Sequence, residues 1–163
     1  AELPQRKATE RDRIRVVLEG SFCEQPPLEL IEVIEEAGCE IVSDDFALGL
    51  VWFTKETPID DDPLRSLAES YLFHSDYSSV RHYGTKRRDF SLAEKVRNVH
   101  ADGVIFCIAK FCEPALIDYV THKHTLENQG IPHVSFEFEE KMGVFENVRV
   151  QVETFAESIL LFD

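Results

Sequence analysis

Short runs of consecutive apolar, largely β-branched residues recur along the chain, separated by stretches with helical spacing. The run 14–18 (IRVVL), closed by Gly20, predicts a first buried strand. Pro26-Pro27 then opens a helix with Leu30, Val33, Ile34 and Ala37 on one face, Glu29, Glu32, Glu35 and Glu36 on the others, and Gly38 at the stop position. A second strand follows at 39–43 (CEIVS) and ends at Asp44-Asp45. The run 103–109 (GVIFCIA) is a third strand and 132–138 (PHVSFEF) a fourth. Between them Pro114 starts a helix with Leu116, Tyr119 and Leu126 as its buried face and Gly130 at its end. Val148, Val152, Phe155, Ile159 and Phe162 give the last helix its apolar stripe.

The middle of the chain is less regular. Residues 46–53 are apolar but contain Gly49, and fit a helix or a loop. Asp60 to Asp62 with Pro63 is a helix-start signal, followed by a stripe of Leu64, Leu67, Ala68 and Tyr71. Residues 74–88 are polar and aromatic and predict a connecting or functional loop. Ser91, with Glu94 three residues on, has the capping-box pattern for a helix through Asn98.

The resulting order, β-α-β-(α-α)-β-α-β-α, predicts an α/β fold. It is a three-layer, flavodoxin- or Rossmann-like domain whose four-stranded parallel sheet has the order 2-1-3-4 and helices on both faces. Residues 1–13 lack apolar periodicity and read as a connector or cut edge, which leaves 14–163 as a single α/β domain.

This topology places a ligand crevice beyond the carboxyl ends of strands 1 and 3, where the winding direction reverses. The loops there are 20–25 (GSFCEQ) and 110–114 (KFCEP), so Cys23 and Cys112 converge on one place. Neither loop is a glycine-rich phosphate cradle, which disfavours a dinucleotide. Cys112 lies just outside a predicted helix N-terminus, where the dipole favours a negative sulfur. Such a thiolate suits nucleophilic catalysis or soft-metal ligation, and a packed, inert thiol fits the same position. Cys39 and Cys107 fall inside strands and read as core.

Other candidates are weaker. His122 and His124 point about 200° apart on a helix and cannot share an ion, so they read as solvated or first-turn residues. His74, His82, Tyr77 and Tyr83 could line a pocket or lie on the surface. Lys86-Arg87-Arg88 is a basic cluster that suits the phosphates of an anionic ligand, or a solvated helix entry. Asp44-Asp45 fits a ribose or metal carboxylate pair and equally a turn signal.

Composition narrows the class. The chain has 163 residues, 44% of them hydrophobic with 12 Phe, enough for a sizeable core and against disorder. A net charge of -14 argues against a nucleic-acid surface, which must neutralise phosphates. No apolar run approaches the roughly 20 residues needed to span a bilayer, and the charged first 13 residues do not read as a secretory signal. Four cysteines are too few for a disulfide scaffold, so a reduced, cytoplasmic setting is expected.

From about Arg13 onward the chain resembles the benzoyl-CoA reductase and 2-hydroxyacyl-CoA dehydratase family. Residues 16–53, with VVLEGSFCEQPP and GCEIVSDDFALGL, look like the C-terminal half of a benzoyl-CoA reductase catalytic subunit. Residues 102–138, with DGVIFCIAKFCEPALIDY and GIPHVSFEFE, carry the broader family pattern, and GVFENVRVQVETFAESI looks like its closing helix. The resemblance implies an oxidoreductase built from paired catalytic subunits, each with two α/β domains sharing a [4Fe-4S] cluster on three cysteines. One of those ligands maps to Cys112, and the other two belong to an N-terminal domain this chain lacks. It further implies an acyl-CoA substrate, a homologous second subunit, an ATP-hydrolysing iron–sulfur activator and a ferredoxin upstream.

In the reductase branch, the expectation SFCEQPP favours, the ring of benzoyl-CoA becomes a cyclic diene. The dehydratase branch expels a leaving group through a ketyl radical anion. On the reductase reading Cys23 faces the cluster or the acyl group, Glu24 is a proton donor near the ring by position, and Lys86, Arg87 and Arg88 meet the CoA phosphates. The 163-residue chain alone is expected to hold no intact cluster and to show no turnover. The alternative from another class is a non-catalytic flavodoxin-like ligand-binding or interaction module with inert thiols.

Overall fold

A computed structural model describes residues 12–20, 25–46, 55–75, 88–139 and 141–162, with the backbone alone at 88–91 and 162. Its elements run β1 (Ile14–Glu19), α1 (Leu28–Glu36), β2 (Cys39–Ser43), α2 (Pro63–Phe73), α3 (Arg88–Asn98), β3 (Gly103–Ala109), α4 (Glu113–Asn128), β4 (His133–Phe138) and α5 (Glu146–Phe162). The strands form one sheet in the order β2-β1-β3-β4, and every neighbouring pair is parallel. That is the predicted topology. α1 and α5 pack together on one face, α3 and α4 on the other, so the sheet is the middle of three layers.

Burial follows position in the sheet. Every residue of the central strand β3 is buried, as a strand covered by helices on both faces requires. Val16, Val17 and Leu18 of β1, Leu30 and Ile34 of α1, and Val152 of α5 are fully buried around it. Gly103 opens β3 because α5 leaves no room there: a Cβ would lie 2.7 Å from Phe155 Cζ and 3.0 Å from the Pro132 carbonyl oxygen.

At the amino end of the sheet, Arg15 ties β1 to the end of α3. Its Nε donates to the His100 carbonyl (2.9 Å) and its Nη2 to that of Val99 (3.0 Å), satisfying carbonyls the helix leaves orphaned. The Arg15 N–H donates to Asp102 Oδ2 and the Asp102 N–H to the Arg15 carbonyl, setting the start of β3 against β1.

Four expectations are corrected. On α2 the stripe Leu64, Leu67 and Tyr71 faces solvent, 79%, 50% and 39% exposed, whereas Ser66 and Ser70 are buried. Periodicity locates an apolar arc but not the surface it meets. α3 begins at Arg88, so Ser91 lies inside the helix rather than at its N-cap. His122 is buried, not solvated, because Ala115, Tyr119, His122 and Leu126 share the face of α4 turned to β3. Leu116, placed on that face by the sequence, stands 36% exposed beside it. Residues 47–54 and 76–87, which include most of the two segments read as irregular, lie outside the described residues.

Candidate functional site

The carboxyl ends of β1 and β3 adjoin, with Leu18 opposite Ile105 and Glu19 opposite Phe106. Gly20, with φ +106°, turns the chain off β1 at a point where a Cβ would stand 3.0 Å from the Cys107 carbonyl oxygen and 3.3 Å from Ile108. Only glycine accommodates both that φ and that approach. β2 shifts register against β1 between Val16 and Val17, so Ser43 rather than Val42 pairs with Val17. Continuing that register brings Asp45 beside the end of β1, where its Oδ2 accepts the Gly20 N–H at 2.9 Å. Asp44 accepts from the Phe46 N–H at 2.9 Å in a local turn. The Asp pair is therefore structural on these contacts, with one carboxylate bracing the floor of the crevice.

Glu19, the last residue of β1, meets Lys95 of α3 at 3.4 Å, with both side chains less than one-fifth exposed. The pair closes the α3 side of the crevice floor.

Across from this floor, the loop after β3 is held at both ends. The Lys110 N–H donates to the Phe138 carbonyl (2.9 Å), and the Lys110 ammonium pairs with Glu139, which raises the Lys110 pKa chiefly through that hydrogen bond. The Cys112 N–H donates to the Ala109 carbonyl (3.1 Å) and the Glu113 N–H to that of Phe111 (3.1 Å). Between these clamps Phe111 takes a left-handed backbone, φ +62°, with its ring 93% exposed. For a bulky residue that conformation costs about 1–2 kcal/mol.

Cys112 is the N-cap of α4, with Glu113 and Pro114 its first two helical residues. Its side chain makes no capping hydrogen bond, and the Leu116 N–H is satisfied by the Cys112 carbonyl at 3.0 Å. Cys112 is 5% exposed, and its thiol, like those of the fully buried Cys39 and Cys107, is free. Those two are core thiols, as the sequence predicts: burial pushes Cys39 up to about 12, and pushes Cys107 up further with help from the nearby Asp45 charge.

Cys23, Glu24, Lys86 and Arg87, and the side chain of Arg88, lie outside the described residues, as do Tyr77, His82 and Tyr83. Among the described residues no three His, Cys, Asp or Glu side chains are grouped to hold a metal ion. One cysteine at a helix N-cap fits a single corner of a cluster whose other ligands come from elsewhere.

Two site features escaped the sequence reading. The conformation of Phe111 carries no sequence signal, because Phe is not among the types, Asn, Asp and His, that are enriched at positive φ. His122 stacks on Phe106 (centroids 6.4 Å, 24° between planes) with its buried Nδ1 unpartnered among the described residues. Its spacing from Ala115, Tyr119 and Leu126 was the signal that placed it inside.

These features define a class: an open, parallel α/β domain with a strained aromatic and an N-cap cysteine in the loop at its switch point. The family described as 2-hydroxyglutaryl-CoA dehydratase, D-component, matches residues 1–159, and the chain belongs to that family. It is 39% identical over 158 residues to a benzoyl-CoA reductase subunit of Thauera aromatica, covering 96% of this chain and 41% of that protein. It is 32% identical over 145 residues to the (R)-phenyllactyl-CoA dehydratase beta subunit of Clostridium sporogenes, covering 89% and 38%. The (R)-2-hydroxyglutaryl-CoA dehydratase beta subunit of Acidaminococcus fermentans is 27% identical over 163 residues, covering 97% and 42%. The chain thus spans about two fifths of the length of the curated relatives it matches, each a named subunit. No helix among the described residues is long and apolar enough to cross a membrane.

Proposed function

We infer that this chain is the C-terminal domain of a catalytic subunit of an ATP-dependent benzoyl-CoA reductase. The observation that carries the reading is Cys112 itself. It is a free thiol at the N-cap of α4, unengaged by any capping hydrogen bond, at the switch point of a chain 39% identical to the Thauera aromatica benzoyl-CoA reductase subunit. Its low exposure also suits an inert thiol, so support comes from place and kinship rather than accessibility.

On this reading Cys112 holds one iron of a [4Fe-4S] cluster completed by a further domain. Bound there, the cluster supplies single electrons at low potential. Reduction of the aromatic ring to a cyclic diene takes up two electrons and two protons. In this domain Lys110, pinned by Glu139, fixes the loop that carries Cys112, and Asp45 holds Gly20 where the chain turns off β1. Glu24 donates a proton to the ring, Cys23 faces the cluster or the acyl group, and Lys86, Arg87 and Arg88 neutralise CoA phosphates. A second subunit, an ATP-hydrolysing activator and ferredoxin complete the electron path in the cytoplasm.

Two relatives above 30% identity are named for aryl-acyl thioesters, benzoyl-CoA and phenyllactyl-CoA, which favours an aryl substrate here. The phenyllactyl relationship also supports a second reading, radical dehydration, distinguished by its product, an enoyl-CoA in place of a cyclic dienoyl-CoA. The test is anaerobic reconstitution of the assembled enzyme with Cys112→Ser. Loss of the cluster's spectroscopic signal together with ring reduction supports the reading. An unchanged signal and activity leave a non-catalytic module as the role of this domain.

A further inference from the structure

We propose that Phe111 is a specificity-determining residue, whose ring forms an apolar wall for the aryl part of the acyl thioester; this rests on the substrate class inferred above. Three independent features of one residue lead there. It follows the carboxyl end of β3, immediately before the N-cap residue Cys112, and so belongs to the switch-point loop, the place where ligands bind in open α/β sheets. Its backbone is in the left-handed region at φ +62°, a cost that packing within this domain does not recover, because the ring is 93% exposed. Strain of this kind persists where surrounding structure imposes it and gathers at ligand clamps.

The imposing structure is identifiable. Lys110 N–H to Phe138, Cys112 N–H to Ala109 and Glu113 N–H to Phe111 lock the backbone on both sides of the residue. The loop backbone is therefore fixed while the side chain stands 93% exposed. A phenyl ring held this way is preorganised to meet another apolar surface, and an aromatic one is favoured further by edge-to-face contact. Short or charged acyl groups gain little from it. The neighbouring Lys110 is engaged with Glu139 and leaves this wall apolar.

The experiment measures binding of benzoyl-CoA and of acetyl-CoA to the assembled, anaerobically reconstituted enzyme, comparing the parent with Phe111→Ala and Phe111→Leu. The expected result is a loss of about tenfold in benzoyl-CoA affinity for Phe111→Ala, with acetyl-CoA binding within about twofold of the parent and the cluster signal retained. Phe111→Leu, which keeps bulk without the ring, falls between. If Phe111→Ala loses the cluster, the comparison rests on Phe111→Leu, whose affinity ratio must still move toward acetyl-CoA. Equal weakening of both thioesters, or an unchanged ratio, overturns the proposal. A parent enzyme that does not prefer benzoyl-CoA overturns the aryl-substrate reading instead.

Discussion

The carboxylate of Asp45, just past β2, accepts a hydrogen bond from the backbone N–H of Gly20, just past β1, at 2.9 Å. Two adjacent parallel strands are thereby clasped at their carboxyl ends, where the sheet ladder has stopped and backbone groups would otherwise seek water. The register shift between Val16 and Val17 is what advances β2 far enough for the contact. Because Gly20 also lies against the Cys107 carbonyl, one residue links β2, β1 and β3 at the mouth of the crevice.

Gly20→Ala destabilises the domain by about 1–3 kcal/mol, from the positive φ and the contact with the Cys107 oxygen. Urea unfolding of the 163-residue chain would show a lower midpoint at unchanged slope. A variant as stable as the parent would mean that the β1 end has no such constraint.

Phe111→Gly has the opposite sign. Relief of the left-handed strain outweighs glycine's extra unfolded-state entropy, and stability rises by about 0.5–1 kcal/mol, since the exposed ring contributes no core packing. Thermal unfolding reads this directly, and a lower melting temperature contradicts the strain at φ +62°.

The pair Glu19–Lys95, less than one-fifth exposed on either side, behaves differently from the exposed pair Arg65–Glu69. Lys95→Met leaves a confined carboxylate behind and costs about 1–3 kcal/mol, whereas Arg65→Gln stays within about 0.5 kcal/mol. Raising the salt to about 1 M should erase the second effect and spare most of the first.

Cys39 sets an alkaline limit. Its thiol titrates near 9.0 when unfolded and near 12 in the fold, owing to burial. The stabilisation is complete below about pH 9 and is lost as pH climbs toward 12, because only the unfolded state releases the proton easily. Cys107, pushed up in the same way, adds to the slope. Denaturant unfolding across that range should show falling stability, less steeply for Cys39→Ala. At about pH 8 neither thiol should react with a disulfide reagent until the chain unfolds.

What the residues alone determined is the sheet. Continuous apolar runs such as 103–109, separated by helical periods, admit few parallel arrangements, because right-handed crossovers and short connections remove the rest. The same rules put Cys112 at the switch point and Cys39 and Cys107 in the core. Tertiary structure decided matters of direction and conformation. The arc of Leu64, Leu67 and Tyr71 turned outward and Ser66 and Ser70 inward, since periodicity reports an amphipathic face without its partner. His122 went into the core because its neighbours on α4 needed that face. Phe111 acquired its left-handed backbone only because hydrogen bonds from Lys110, Cys112 and Glu113 hold the loop around it. Local sequence sets which conformations are cheap, and only contacts made by distant residues set which costly one is kept.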